Sequence, residues 1–190
     1  STPVSRHVLE KLKAQLGDAV LDSHDYRGDE TAIIAAERLR EAILWLKESA
    51  TLDFDMLTDL TAVDYLDQLD GGQRSADAPR FEVVYHLYSV SRGHRLRLKV
   101  GADGESPEVD TISDIYGNAN WCEREVWDLY GIRFKDHPDP RRILMYEEFE
   151  GHPLRKDYRK DKRQPLVRRP RKELEAVVLG RGVGNKRSLI

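Results

Sequence analysis

The sequence predicts an α+β fold: a two-layer domain with a helix-strand-strand-helix-three-strand core, followed by short helices and an extended C-terminal arm. Three observations carry that expectation. Residues 4–16 and 36–48 repeat apolar side chains at helical spacing. Segments of strand character lie between and after them, so helices and strands sort into two packed layers. Beyond Gly131, prolines accumulate (Pro138, Pro140, Pro153, Pro165, Pro170) while apolar periodicity fades.

Each element has a local reason. Val8, Leu9, Leu12 and Leu16 form one face of the first helix, which Gly17-Asp18 ends. Ala19 to Leu21 is expected as a short strand, Asp22 to Glu30 as an Asp-rich turn around Gly28, and Thr31 to Ala35 as the returning strand. From Ala36 to Glu48, Leu39, Ala42, Ile43 and Leu46 share a face, which predicts the second helix. Phe54 to Tyr65 is a partly apolar strand, and Asp67 to Pro79 is a polar loop. Phe81 to Val90 alternates, with Phe81, Val83, Tyr85 and Leu87 on one face, and Ser91-Arg92-Gly93 turns the chain back. Arg95 to Val100 alternates basic with apolar residues, as a half-exposed strand does.

Asp110 to Tyr116 fits a short helix. A longer one follows, with Asn120 as N-cap and Glu123 as its capping-box partner. Gly131 supplies the left-handed C-terminal residue. Cys122, Val126, Leu129 and Tyr130 share its apolar face, and Arg124 and Asp128 stand at i, i+4 for an ion pair. This divides the chain into a folded domain, 1–132, and a basic arm, 133–190, that lacks a core of its own and is expected to order on a partner.

Composition narrows the chemistry. With 190 residues, 39% of them hydrophobic, one domain with a buried core is expected. No stretch approaches the ~18–20 apolar residues of a membrane span, and Ser1 to Leu16 contains no apolar signal-peptide region. The single cysteine, Cys122, excludes an internal disulfide or a four-cysteine cluster built by these residues. The net charge of −3 hides a split. Residues 151–190 carry thirteen Lys and Arg against four acids, +9, leaving 18 bases and 30 acids, −12, on residues 1–150. A basic tail on an acidic body points to an acidic partner.

No catalytic constellation stands out. Glu123, Glu125 and Asp128 could form an acid/base pair or a metal site, but no histidine completes a helical ligand pair, and a capped, ion-paired surface helix explains them more simply. His137 and His152 each precede a proline, and hydrogen bonds that hold irregular backbone are their expected role. Cys122 is expected as a small buried hydrophobe rather than a nucleophile. Gly101-Ala-Asp-Gly104 and Gly180-Arg-Gly-Val-Gly184 lack the strand–helix context of a phosphate loop. The tail has one aromatic, Tyr158, for base stacking, so a protein partner suits it better than nucleic acid.

From Asn120 to Tyr158 the sequence reads NWCEREVWDLYGIRFKDHPDPRRILMYEEFEGHPLRKDY, with Glu123-Arg124-Glu125 and Trp127 to Ile132 first, then His137-Pro138-Asp139, Arg141 to Leu144, and Glu150 to Tyr158. These residues closely resemble the thirty-kilodalton subunit of respiratory complex I (NADH:quinone oxidoreductase). Leu57 to Asp64 and Arg80 to Tyr85 resemble that family's central strands, extending the resemblance over residues 50–158. One departure is the basic run Arg159 to Arg163 that precedes Pro165-Leu166.

The resemblance implies a subunit of an enzyme, with no catalytic, cofactor-binding or metal-binding residue in this chain. FMN, the iron–sulfur clusters, NADH and quinone would belong to the rest of the complex. The implied partners are the hydrogenase-like large subunit of complex I and neighbouring iron–sulfur subunits, with membrane contact only through the complex and no nucleic acid. The implied interface comprises Glu123, Arg124, Glu125, Asp128, His137, Arg141, Arg142, His152, Arg155, Lys156, Asp157 and Tyr158, with Arg141, Arg142, Arg155 and Lys156 as ion-pair anchors. The implied location is peripheral, on the cytoplasmic side of the bacterial inner membrane or the matrix side in mitochondria. Two rivals remain: the equivalent subunit of a membrane-bound hydrogenase or ferredoxin:plastoquinone complex, and a nucleic-acid-binding module acting through the tail.

Overall fold

A computed structural model describes residues 6–75 and 77–167; the expectations for the basic tail from Arg168 onward lie outside the described residues. The elements run α1 (Arg6–Leu16), β1 (Val20–Tyr26), β2 (Asp29–Ile34), α2 (Leu39–Glu48), β3 (Met56–Asp64), α3 (Leu66–Asp70), β4 (Phe81–Ser89), β5 (His94–Ala102), β6 (Glu108–Asp110), α4 (Ala119–Tyr130) and β7 (Arg133–Lys135). Short 3-10 turns at Gly17–Ala19 and Ala36–Arg38 lead into β1 and α2. The α+β class and the order of the core elements are as the periodicities predict.

Five strands form one sheet in the order β1-β2-β5-β4-β3, in which only β2 and β5 are parallel. Val8, Leu12 and Leu16 of α1 and Leu39, Ala42, Ile43 and Leu46 of α2 join Leu96, Leu98 and Val100 of β5 and Val83 and Tyr85 of β4 in the core. Each fully buried Leu or Ile there contributes about 1.5–3 kcal/mol of burial. The alternation of β5 is borne out, with Leu96, Leu98 and Val100 buried and Arg95 exposed.

Several local expectations are overturned. The segment from Asp22 to Tyr26, expected as turn, is strand, and the turn is only Arg27-Gly28, with φ of 57° and 88°. Both residues are left-handed, as a two-residue hairpin matching strand twist requires. Asp25 Oδ1 accepts the Gly28 amide at 2.9 Å. The strand escaped detection because it lies at the sheet edge, so its polar residues carry no burial pattern. The polar stretch after Asp64 opens with α3 rather than loop.

Asp110 to Tyr116 forms no helix. Its first residue closes β6, which pairs in parallel with β7, a contact between segments some 25 residues apart that local sequence does not encode. The helix after it begins at Ala119 with Asn118 as N-cap, not Asn120. Asn118 Nδ2 donates instead to the Leu57 carbonyl at 2.8 Å, tying the start of α4 to β3. Gly131 does end the helix in the left-handed conformation, φ 72°.

Residues 136–167 contain no helix or strand, as the prolines predict. They do not lack a seat on this chain, however: the stretch from Asp139 to Tyr158 is strapped over α4 and the end of β3 by hydrogen bonds to side chains.

Candidate functional site

Two buried carboxylates organise the strap. Asp128, on the side of α4 expected to face solvent, has a fully buried side chain. Its Oδ2 accepts the amides of Ile143, Leu144 and Met145 at 3.1, 2.8 and 2.8 Å, and its Oδ1 accepts Arg142 Nη1 at 2.6 Å. Burial opposes its charge, but those amides and the guanidinium outweigh it and hold the carboxyl below the usual range. The expected Arg124–Asp128 pair does not form. Arg124 donates to the carbonyls of Arg141 and Arg142 at 3.0 and 3.1 Å and lies 3.4 Å from Asp139. An i, i+4 pair is worth only ~0.2–0.5 kcal/mol, less than charged bonds to otherwise unpartnered backbone.

The second carboxylate is Asp64, at the end of β3. It accepts Arg80 Nε and Nη2 at 3.0 and 2.8 Å, the Leu66 amide at 3.0 Å and the Lys156 amide at 2.9 Å. Arg80 also pairs with Asp157, so the strap is fixed at both ends of the same guanidinium. Sequence reasoning did not assign Asp64 and Arg80 to the site. The available signal was an acid closing one strand and an arginine opening the next, which antiparallel pairing brings together.

The remaining motif residues hold the backbone between these anchors. His152 Nδ1 donates to the Asp128 carbonyl at 3.0 Å, and burial lowers its pKa, which favours the neutral ring. Arg155 donates to the carbonyls of Tyr130 and Gly131, capping the C-terminus of α4 where the helix dipole favours a cation. Gly131 is required on two counts: its left-handed φ, and the His152 ring and Arg155 guanidinium packed where a Cβ would stand, 2.5–2.7 Å away. The Tyr158 ring stacks on Phe149 at 6.1 Å, and its hydroxyl accepts Gln164 Nε2. Arg141 pairs with Asp139 and is mostly exposed, as are Lys156 and Glu125.

Glu123 corrects the surface-helix expectation most sharply. It is fully buried and caps nothing on its own helix. Oε1 accepts the Ile112 amide at 2.8 Å, and Oε2 lies 2.5 Å from the Thr111 hydroxyl. It thereby takes up main-chain polarity of the segment that fails to become a helix. His137 Nε2 stands 3.6 Å from the same carboxyl and donates to the Asn120 carbonyl at 3.1 Å, while its Nδ1 accepts the Asp139 amide at 3.0 Å. The backbone-holding role expected of both histidines is what the structure shows. A cavity of about 400 Å³ opens beside this group, lined by Glu123, Arg124, Trp127, Phe134, His137 and Pro140 among others.

Burial pushes the Glu123 carboxyl up to about 7, with the Ile112 amide and Thr111 hydroxyl pulling it back only in part. Its folded state therefore retains a proton that the unfolded chain releases above about 4.5, so stability falls as pH rises from there through 7. Glu123→Gln is expected to flatten part of that slope. Urea midpoints at pH 5 and pH 8 check it: a variant with the wild-type pH difference contradicts the assignment. Glu30 on β2 titrates in the same direction and accounts for slope that remains.

Cys122 is half-buried against the core, and desolvation raises its thiol pKa, the wrong direction for a nucleophile. Among the described residues no three His, Cys, Asp or Glu side chains converge as a metal requires, and no helix is long and apolar enough to cross a membrane.

The comparisons with known proteins agree with this arrangement. The profile of the family described as respiratory-chain NADH dehydrogenase, 30 Kd subunit, matches residues 32–164, which include both anchors and the strap. The C subunit of NADH-quinone oxidoreductase from Geobacter sulfurreducens is 46% identical over 148 residues, covering 78% of this chain and 85% of that one. Its counterpart from a Roseiflexus species is 44% identical over 150 residues, 79% of this chain and 81% of its own. Among solved structures, the trypsin-resistant fragment (1–134) of Nqo5 superposes with a TM-score of 0.59 at 32% identity, covering 70% of this chain and 97% of the fragment. On the family profile, the identities and the shared fold, this chain belongs to the respiratory-chain NADH dehydrogenase 30 kDa subunit family.

Proposed function

We propose that the chain is a non-catalytic structural subunit of the peripheral arm of proton-translocating NADH:quinone oxidoreductase, docked on the hydrogenase-like large subunit beside the quinone-reducing module, on the cytoplasmic side of the membrane. The observation that supports a structural role is the use made of the motif's acids. Glu123, Asp128 and Asp64 each gather amides or hydroxyls of the same chain, and Asp128 and Asp64 each also take a guanidinium, so the strap becomes a rigid surface. In this reading FMN, the iron–sulfur clusters and quinone are held by neighbouring subunits.

The docking surface is then the outer side of α4 and the strap, residues 120–158. Its exposed side chains include Trp121, Leu144, Tyr146 and Leu154, with the charged heads of Arg141 and Lys156 among them. Exposed aromatics beside arginine suit the centre of a protein interface. Arg142 and Arg155 act from within, by stiffening that surface. Affinity purification of a tagged chain from solubilised membranes is expected to recover a hydrogenase-like large subunit and NADH:quinone activity together. Recovery of the chain without any such large subunit refutes the docking.

A further inference from the structure

The basic run Arg159 to Arg163, the departure from the family pattern, forms a clamped turn just past the strap. The Lys162 amide donates to the Arg159 carbonyl at 3.1 Å, which puts Lys160 and Asp161 at the tip. Behind the turn, the Gln164 side chain closes the loop on both main-chain groups of Glu150. Its Oε1 accepts the Glu150 amide at 2.8 Å, and its Nε2 donates to the Glu150 carbonyl at 3.0 Å. The Tyr146 hydroxyl donates to the Pro165 carbonyl at 2.9 Å, and the proline ring fixes φ there. Immediately beyond this clamp, Leu166 is 93% exposed and Val167 53% exposed.

Two of the four cations in the run are already paired: Arg159 with Asp161 at 2.7 Å, and Lys162 with Glu150 at 3.2 Å. Lys160 and Arg163 are exposed and enter no ion pair among the described residues, so the turn keeps two positive charges uncompensated. The acids that precede the loop, Glu147 and Glu148, pair with neither, and Glu147 acts on Arg141 instead. The sequence continues in the same sense: residues 159–172 carry eight Lys and Arg against one acid. A single exposed leucine is ordinary. One that leaves a hydrogen-bonded clamp between unpaired cations is already held in place, so binding has little left to order. That fixed geometry favours a shaped protein socket over a bilayer. A fluid surface gains nothing from it, and one leucine beside a half-exposed valine gives a membrane little to bury.

We propose that the clamped turn and Leu166 dock on a neighbouring subunit at an apolar socket rimmed by acidic side chains, with Leu166 in the socket and Lys160 and Arg163 on the rim. An apolar centre inside a charged rim is the ordinary anatomy of a protein interface. The inference rests on the reading of this chain as a subunit of a larger assembly. It adds to the surface of α4 and the strap a separate contact supplied by residues 159–167.

The test uses tagged full-length chain, as wild type, Leu166→Ser or the double variant Lys160→Glu, Arg163→Glu, expressed in cells lacking the untagged copy. The rate at which partner subunits leave the immobilised complex is measured at a series of salt concentrations. Leu166→Ser is expected to speed that loss about tenfold at every salt concentration, as truncation of a buried anchor does. The double variant should also lose partners faster at low salt, and its difference from wild type should close as salt rises, because salt screens exposed charges. All three side chains are exposed, so both variants keep the wild-type urea midpoint. Wild-type behaviour of either variant overturns the proposal. Binding of the wild-type chain to mixed phosphatidylglycerol–phosphatidylcholine vesicles, abolished by the same substitutions, also overturns it, by assigning the turn to a membrane surface. A wild-type chain that recovers no partner at all refutes instead the subunit reading on which the proposal rests.

Discussion

Gly131→Ala is expected to destabilise the domain by about 3 kcal/mol, whereas Gly28→Ala loses only about 1 kcal/mol. Both glycines have positive φ, 72° and 88°, so both alanines bear the strain of a left-handed residue. Only at Gly131 is the space also taken. A methyl there would stand 2.5 Å from His152 Cδ2, 2.6 Å from its Nε2 and 2.7 Å from Arg155 Nη2, while nothing lies within 4 Å at Gly28. Relief would require His152 to leave the Asp128 carbonyl or Arg155 to leave the end of α4, uncapping the helix as well as shifting the strap. Urea denaturation of the full chain separates the two substitutions. Equal losses would show that the strap does not press on Gly131 and that only backbone conformation matters there.

Asp128→Ala is expected to release the strap. The substitution leaves three amides and the Arg142 guanidinium without their acceptor. Removing one partner of a buried ionic group costs about 3–5 kcal/mol. Because the strap can open while the sheet stays folded, the direct measurement is native-state proteolysis at Arg141, Arg142, Arg155 and Lys156. A loss of about 3 kcal/mol in opening free energy accelerates cleavage about a hundredfold when reclosing is fast. Glu125→Ala, on the exposed side of the same helix, should leave the rate within about twofold, as surface changes stay within about ±0.5 kcal/mol. Equal rates for the two variants would refute the anchor.

Acid should loosen the strap by the same route. The folded-state pKa of Asp128 is depressed, so its contribution is complete above the ordinary carboxylate pKa and is lost as pH falls through the depressed value. Asp64 behaves alike: burial raises its pKa, and Arg80 with the Lys156 and Leu66 amides more than reverses this. Cleavage at the strap should therefore accelerate on the acid side, while Glu123 acts in the opposite sense above pH 4.5.

The elements legible from sequence were those whose burial repeats. Leu39, Ala42, Ile43 and Leu46 of α2 and the alternating β5 residues predicted their own buried faces, because a helix or strand against a core selects side chains at its own period. β1 was illegible over most of its length because an edge strand is exposed and selects little. β6 and β7 were illegible because each is three residues long and exists by pairing with the other.

The site was legible as a motif and misread as chemistry. Glu123, Arg124, Asp128, His137, Arg142, His152 and Arg155 do come together, yet periodicity assigns every charged residue of α4 to water. Glu123 and Asp128 are instead the most buried polar residues of the helix, because other segments of the chain cover them and supply their donors. By itself, the sequence determined the fold class, the core of the sheet and its two large helices, and the family of the chain. Tertiary structure alone decided which charges are inside. Burial of a carboxylate depends on amides and guanidinium groups brought from 14 to 17 residues away around Asp128 and 92 residues away at Asp64, and that closure is invisible to any local pattern.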